Sequence, residues 1–273
     1  MKIYSKGYTH AGKFHADDVF STALLMHLNP DFKVVRVNKL PENPDGIVYD
    51  IGGGKFDHHQ TDSPARDNGI PYGAFGLLWK EYGAYIMENE ESALQFDQKF
   101  VSAIDYADNT GEYDSLSAAV SSFVPPWNSS ESIDSAFEKA VDFAFNILDR
   151  LIQKSKATRL ADELVMNAYK ESVNNIVILN QYMPWEKVLT DTDAVFVIYP
   201  SLRGGYNIHG VPVEHGSNII KKPFPPEWCG REDSEIVLAS GIGGLRFCHK
   251  NGFLASAETL DSAIKAAELA IAL

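Results

Sequence analysis

Four short segments near the start of the chain gather histidine and aspartate, and each stands at the end of an apolar run or just after one. They are His10-Ala-Gly-Lys-Phe-His15-Ala-Asp17-Asp18, Tyr49-Asp50, Asp57-His58-His59 and Asp105-Tyr-Ala-Asp108-Asn109. A chain of this kind must pack its apolar runs together while leaving the polar ends free where loops begin. A parallel sheet satisfies both demands, because ligands bind beyond the carboxyl ends of its strands, where loops lead into helices.

The remaining pattern agrees with that reading. Strands are expected at 2–8, 32–37 and 46–51, and helices at 16–28, 73–87 and 95–108. Such alternation argues for a parallel sheet flanked by helices. Asp17 and Asp18 would lie in the first turn of the 16–28 helix, where negative charge is favoured. Gly52-Gly53-Gly54 breaks the chain between two of the polar segments. A proline- and serine-containing loop at 123–130 precedes a long amphipathic helix at 132–172. Beyond it the pattern changes to short strands at 176–179, 194–199, 206–213 and 245–249, closing on a helix at 262–273. The expected organisation is an α/β domain at 1–174, including the long helical connector, and a smaller α+β domain at 175–273.

Composition narrows the function. The net charge is −13, with 26 acidic against 16 basic side chains up to Asn174. Such a chain is poorly suited to strong non-specific duplex binding, which depends on basic surface. It remains compatible with an enzyme that grips a few nucleotides at a site carrying its own cations. No run approaches the ~18 apolar residues of a membrane span. The N-terminal stretch lacks a signal peptide's apolar core, and the two cysteines, Cys229 and Cys248, are too few for a disulfide framework. The expectation is a soluble, cytoplasmic protein.

The polar cluster has a chemistry of its own. Two carboxylates about 5 Å apart repel by about 3 kcal/mol at an effective dielectric of about 20. Divalent cations turn that repulsion into coordination, and imidazole with carboxylate in such numbers suggests a two-metal hydrolytic centre. Other constellations fare badly. The chain has no P-loop, no H-E-x-x-H and no G-x-S-x-G elbow. Gly241-Ile-Gly243-Gly244 precedes a strand and reads as a turn. Asp18 reads as a helix-end charge, and Asp62 and Asp67 as solvated loop residues. Cys248 reads as inert core.

With Asp57-His58-His59 preceded by His10, His15, Asp17 and Asp50, the chain resembles the DHH phosphoesterase superfamily of exonucleases, manganese-dependent pyrophosphatases and oligonucleotide or cyclic-dinucleotide phosphodiesterases. It is more closely similar to the melanocyte-proliferating-gene (Myg) family of predicted metal-dependent hydrolases. The likeness runs from Thr9-His10 through Val48-Tyr-Asp50-Ile-Gly52-Gly53, Asp57-His58-His59-Gln60 and Asp105-Tyr-Ala-Asp108-Asn109. It continues to Pro184-Trp185, Ser240-Gly241 and Phe247-Cys-His249-Lys-Asn-Gly252-Phe253, and so spans nearly the whole chain.

The resemblance implies a DHH-like fold and a set of roles. His10, His15 and Asp50 would hold one metal; Asp17, the bridging Asp50, His58 and either Asp105 or Asp108 would hold the other. A water between the two would be the nucleophile. His59 would contact the phosphate or leaving group and Asp57 would orient a histidine. His15 stands where the superfamily usually has aspartate, which shifts preference toward a nitrogen-tolerant ion, manganese or zinc, over magnesium. In the C-terminal domain Arg231, Arg246, His249, Lys250 and Gly252 would grip substrate, with Arg203, Asn207 and His209 as supplements. Trp185 and Trp228 are better read as packing than as base-stacking groups. The implied activity is a 3′–5′ exonuclease or oligonucleotide phosphodiesterase on RNA or a short oligonucleotide, with no membrane partner and room for an oligomer. The alternatives are a small-molecule phosphohydrolase, taking pyrophosphate or a cyclic dinucleotide, and a metal-binding module without catalysis.

Overall fold

The structure is a computed structural model that describes residues 2–273. Three short runs form the first sheet, the last two rich in valine and isoleucine: β1 (Lys6–His10), β2 (Lys33–Val37) and β3 (Ile47–Val48). All pairings are parallel, in the order β2-β1-β3, so the ends of β1 and β3 share one edge. Between β1 and β2 lies α1 (Ala16–Leu28), buried without interruption from Ala16 to Leu25. Asp18 accepts the backbone N–H of His15 at 2.8 Å and so satisfies one orphan donor at the helix start.

Helices α2 (Ala74–Met87), α3 (Glu90–Phe96) and α4 (Ser102–Thr110) follow, the last two joined through a π-helical turn at Asp97–Val101. Phe20, Phe75, Phe96, Phe100 and Trp79 pack ring against ring at their centre, with Trp79 stacked on Phe96 at 4.5 Å. Next come α5 (Ser115–Ser121) and the long α6 (Ile133–Lys170). The first compact unit ends at Lys156 and the second runs from Ala157 to Leu273, so the last turns of α6 belong to the second.

The second unit carries a mixed sheet, in the order β4-β5-β6-β8-β7. Its strands are β4 (Ile176–Ile178), β5 (Phe196–Pro200), β6 (Tyr206–Gly210), β7 (Leu245–Cys248) and β8 (Leu254–Ala257). Only β4 and β5 pair in parallel. Helices α7 (Glu186–Thr190), α8 (Asp233–Ser240) and α9 (Leu260–Ala272) complete it. Ala263, Ala266, Ala267 and Ala270 of α9 are fully buried against Phe196, Ile198 and Ile208, small side chains that let the helix lie close on the sheet.

The architecture is therefore mixed α/β, with a parallel and a mixed sheet flanked by helices, as expected. Helices α5, α7 and α8 and strand β8 were not expected from the sequence. They are short, and the Leu-Ala-Ser-Ala run of β8 has none of the β-branched or aromatic residues that mark a strand. β1 starts later than expected, at Lys6, where pairing with Lys33 begins, and it carries on to His10. Among the described residues no helix is long and apolar enough to cross a membrane.

Candidate metal centre

His10 is the last residue of the central strand β1, and Asp50 follows β3 on the same sheet edge. The chain turns sharply at Asp50, whose φ is +56°, in the left-handed region where aspartate is among the few tolerated side chains. The Asp50 N–H bonds the Phe56 carbonyl at 2.9 Å and closes the intervening glycine loop. Gly52 is required there. Its φ is +89°, and a Cβ would come within 2.3 Å of Leu40. The Gly53 N–H bonds Asp57 at 2.6 Å, which sets the triplet Asp57-His58-His59 beside Asp50.

Two triplet histidines thereby reach the same carboxylate by different routes. His58 is buried, with Nε2 3.3 Å from Asp50 Oδ1, 3.4 Å from Asp17 Oδ2 and 3.3 Å from Asp108 Oδ2. His59 is exposed; its Nδ1 donates to Asp57 at 2.7 Å and lies 3.8 Å from Asp50. On the other side of Asp50, His10 Nε2 lies 3.3 Å from Asp50 Oδ2 and 3.5 Å from Asp18 Oδ2. Three groups in the cluster have ligand geometry: His10 with Asp18 and Asp50, Asp17 with His58 and Asp108, and Asp50 with His58 and His59.

Each histidine is oriented from behind. The Ala11 carbonyl takes the His10 Nδ1 proton at 3.1 Å, and Asn109 Oδ1 takes that of His58 at 3.3 Å. Asn109 presents its oxygen because its amide nitrogen already donates to the Asp105 and Tyr72 carbonyls. Both histidines therefore turn Nε2 inward, the nitrogen a metal would take once it displaces the proton there. Asp18 Oδ2, Asp50 Oδ1 and His58 Nε2 are buried without a hydrogen-bond partner. Buried polar atoms are rarely left so, and a divalent cation fits this donor set.

The electrostatics agree. Burial, reinforced by Asp50, Asp108 and Asp105, holds Asp17 well above the ordinary carboxylate range. Burial lifts Asp18 to about 7 against the pull of His10. The contact with Asp50 raises His10 to about 9, and for His58 the carboxylates Asp50 and Asp108 outweigh burial to reach about 9. Asp50 is lowered instead, since His10 and His58 outweigh its own burial. Protonated His10 and His58 would offset the crowded carboxylates.

Asp17 and Asp105 carry a second task. Asp17 accepts the Ala74 and Phe75 amides at 2.7 Å each, and Asp105 accepts that of Gly76 at 3.1 Å, so together they satisfy the start of α2. Asp105 also binds Arg66, whose guanidinium forms a bidentate pair with Asp97, all at 2.7 Å. Both Asp105 oxygens are thus engaged away from His58, whereas Asp108, one helical turn later, faces it. Nothing in the sequence marks Arg66 and Asp97, 31 positions apart, as partners.

The remaining predicted residues divide cleanly. His15 is exposed and belongs to none of the three groups; its ring centre is 6.1 Å from that of His10. Asp18, read as a helix-end charge, does belong to one. A pocket of about 450 Å³ opens over the cluster, lined by His10, Lys13, His15, Asp50, His59 and Asp108 among others. In the second unit Arg231, His249, Lys250 and Gly252 gather around the β7–β8 turn: the Cys248 N–H bonds the Arg231 carbonyl, and the Gly252 N–H bonds that of His249. Arg246 stands apart and lines a larger cavity. Trp185 and Trp228 are buried in the core.

A family profile described as an uncharacterised protein family (UPF0160, MYG1 exonuclease) matches residues 7–271. The chain is 29% identical to the MYG1 protein of Dictyostelium discoideum, over 94% of this chain and 93% of that one. It is 27% identical to the human MYG1 exonuclease, over 97% and 85%. The yeast protein MYG1 YER156C from Saccharomyces cerevisiae is 26% identical, over 97% and 95%. No solved structure matches.

Proposed function

The chain belongs to the MYG1 family, UPF0160, and from that membership we propose that it is a divalent-metal-dependent phosphoesterase acting on the ends of RNA or short oligonucleotides. The observation that carries the reading is Asp50, buried between His10 and His58 with an oxygen that no hydrogen bond satisfies. The names of the rat, mouse and human relatives, MYG1 exonuclease, support the nuclease part of it.

In this reading His10, Asp18 and Asp50 would hold one ion, and Asp17, His58 and Asp108, with Asp50, a second. Manganese suits this mixture of imidazole and carboxylate. Ions held there would supply positive charge for the phosphoryl oxygens and an activated water. The protein's own groups do the rest. Asp57 holds the His59 proton on Nδ1, so Nε2 faces the pocket and can hydrogen-bond the phosphate or leaving oxygen. Lys13 and His15 line the same pocket and can also meet the phosphate. Asp105 acts from behind, as an anchor for Arg66 and α2, and Asp108 is the ligand from its segment. The β7–β8 turn, with Arg231, His249, Lys250 and Gly252, together with Arg246, binds substrate.

The test is hydrolysis of bis-p-nitrophenyl phosphate and of an end-labelled oligonucleotide. Activity should appear with Mn²⁺, vanish with EDTA and vanish in Asp50→Ala. Equal cleavage by wild type and Asp50→Ala would overturn the reading.

A further inference from the structure

Helix α9 packs against one face of the second sheet. On the opposite face, strand register sets four side chains in one row. Tyr199 of β5 pairs with Asn207 of β6, Asn207 with Ser256 of β8, and Ser256 with Phe247 of β7. This row lines a cavity of about 1120 Å³. Tyr182 stands exposed at its edge, its ring 5.3 Å from that of Tyr199 and inclined at 62°.

Two cations flank the row. Arg203 sits on the turn between β5 and β6, exposed, and its guanidinium engages no carboxylate among the described residues. Arg246 reaches the Gly204 carbonyl and Glu258 only at 3.4 Å each. Glu232 is the one acid lining the cavity, so the cavity's lining is basic on a chain whose net charge is −13.

We propose that this row is a base-stacking platform for a single-stranded polynucleotide. A nucleobase has two apolar faces and a polar edge. Exposed Tyr182 and half-buried Phe247 offer rings for the faces, with buried Tyr199 backing Tyr182; Asn207 and Ser256 offer donors and acceptors for the edge, and the arginines meet the phosphates. Only an unpaired base exposes its face, so the occupant is a single strand. The cavity exceeds the ~300–1,000 Å³ usual for a small ligand and has room for more than one nucleotide. The choice of ligand rests on the nucleic-acid reading above; the row and its flanking arginines do not.

The test uses the full chain in EDTA, where no hydrolysis competes, with fluorescein-labelled RNA and DNA hexanucleotides. Tyr182→Ala and Arg203→Ala, both at exposed side chains, should each weaken binding of the preferred strand by about tenfold at unchanged melting temperature. A strand carrying 5-iodouracil, irradiated on the wild-type protein, should form adducts on Tyr182 or Phe247. The proposal is overturned if neither strand binds, if both variants bind as wild type does, or if every adduct lies elsewhere. Hydrolysis of bis-p-nitrophenyl phosphate separates it from the phosphoesterase reading. A protein that cleaves this ester but binds no strand loses only the platform. One that binds strands at the row but cleaves nothing loses only the phosphoesterase.

Discussion

His58 Nε2 lies 3.3 Å from Asp50 Oδ1, both atoms are buried, and neither has a hydrogen-bond partner. The two are near enough to attract, and a divalent cation would satisfy both atoms. Asp18 Oδ2 repeats the situation beside His10. The cluster's stability should therefore depend on what fills it.

Metal stabilisation should grow with pH. Asp18 is raised to about 7, so the folded metal-free protein loses stability as pH rises from the unfolded carboxylate range through about 7. His10 and His58 are raised to about 9, so their contribution is complete below the unfolded value of about 6.5 and is lost as pH climbs through about 9. Asp50 is lowered, and its contribution is already constant above about pH 5. Melting temperature in EDTA should thus fall between pH 5.5 and 8.5. The rise on adding Mn²⁺ should widen over the same interval, because binding displaces those protons. A Mn²⁺ effect that shrinks as pH rises would contradict this.

Asp105 and Asp108 should separate by readout. Asp105→Ala leaves Arg66 with an unpaired share of buried charge and the Gly76 amide without an acceptor, at a cost of about 3–5 kcal/mol visible in EDTA. Asp108→Ala removes one of several crowded carboxylates, so metal-free stability should hold or improve while Mn²⁺ affinity falls at least tenfold. Calorimetric titration and thermal melts of the pair check this, and the reverse assignment would sink it.

His59 should matter for rate and not for assembly. It is 64% exposed, its Nδ1 bonded to Asp57 and 3.8 Å from Asp50. His59→Ala should keep its melting temperature and Mn²⁺ affinity while kcat falls about 10²–10³-fold, the loss typical of removing one group that contacts developing charge. A variant with full kcat would remove His59 from the chemistry.

Gly76→Ala should be among the costliest alanine substitutions on a helix. The new Cβ would sit 1.8 Å from Asp105 Oδ2, where neither the helix nor the pair with Arg66 can yield. A loss of about 1–3 kcal/mol or more is expected from overpacking, against the small gain alanine usually brings to a helix. Denaturant unfolding measures it.

The half of the fold that bears the histidine and aspartate cluster was legible because its signals are local. The α1 helix was expected at its observed limits, since Asp17 and Asp18 follow His15 as a first turn would have them and lead into the mostly apolar stretch from Val19 to Met26. The Gly52–Gly54 break announced a turn, and Asp50 and Asp57 flank it. What stayed hidden depends on contacts between distant residues. Asp105 and Asp108 share a helical face, and periodicity does not distinguish them; Arg66, far away in sequence, does. Asp18 was read only as a helix-end charge, yet one of its oxygens caps α1 and the other faces His10. The aromatic row of the second sheet was invisible for the same reason, since register across four strands is not written in any one of them.

The central claim is that Asp50 stands between two metal ions. Anomalous difference maps from crystals soaked in Mn²⁺ test it most directly. The account predicts two peaks flanking the Asp50 carboxylate, one within coordination distance of His10 and Asp18, the other of Asp17, His58 and Asp108. Peaks absent from this cluster at a saturating Mn²⁺ concentration, or bound only elsewhere on the chain, would contradict it.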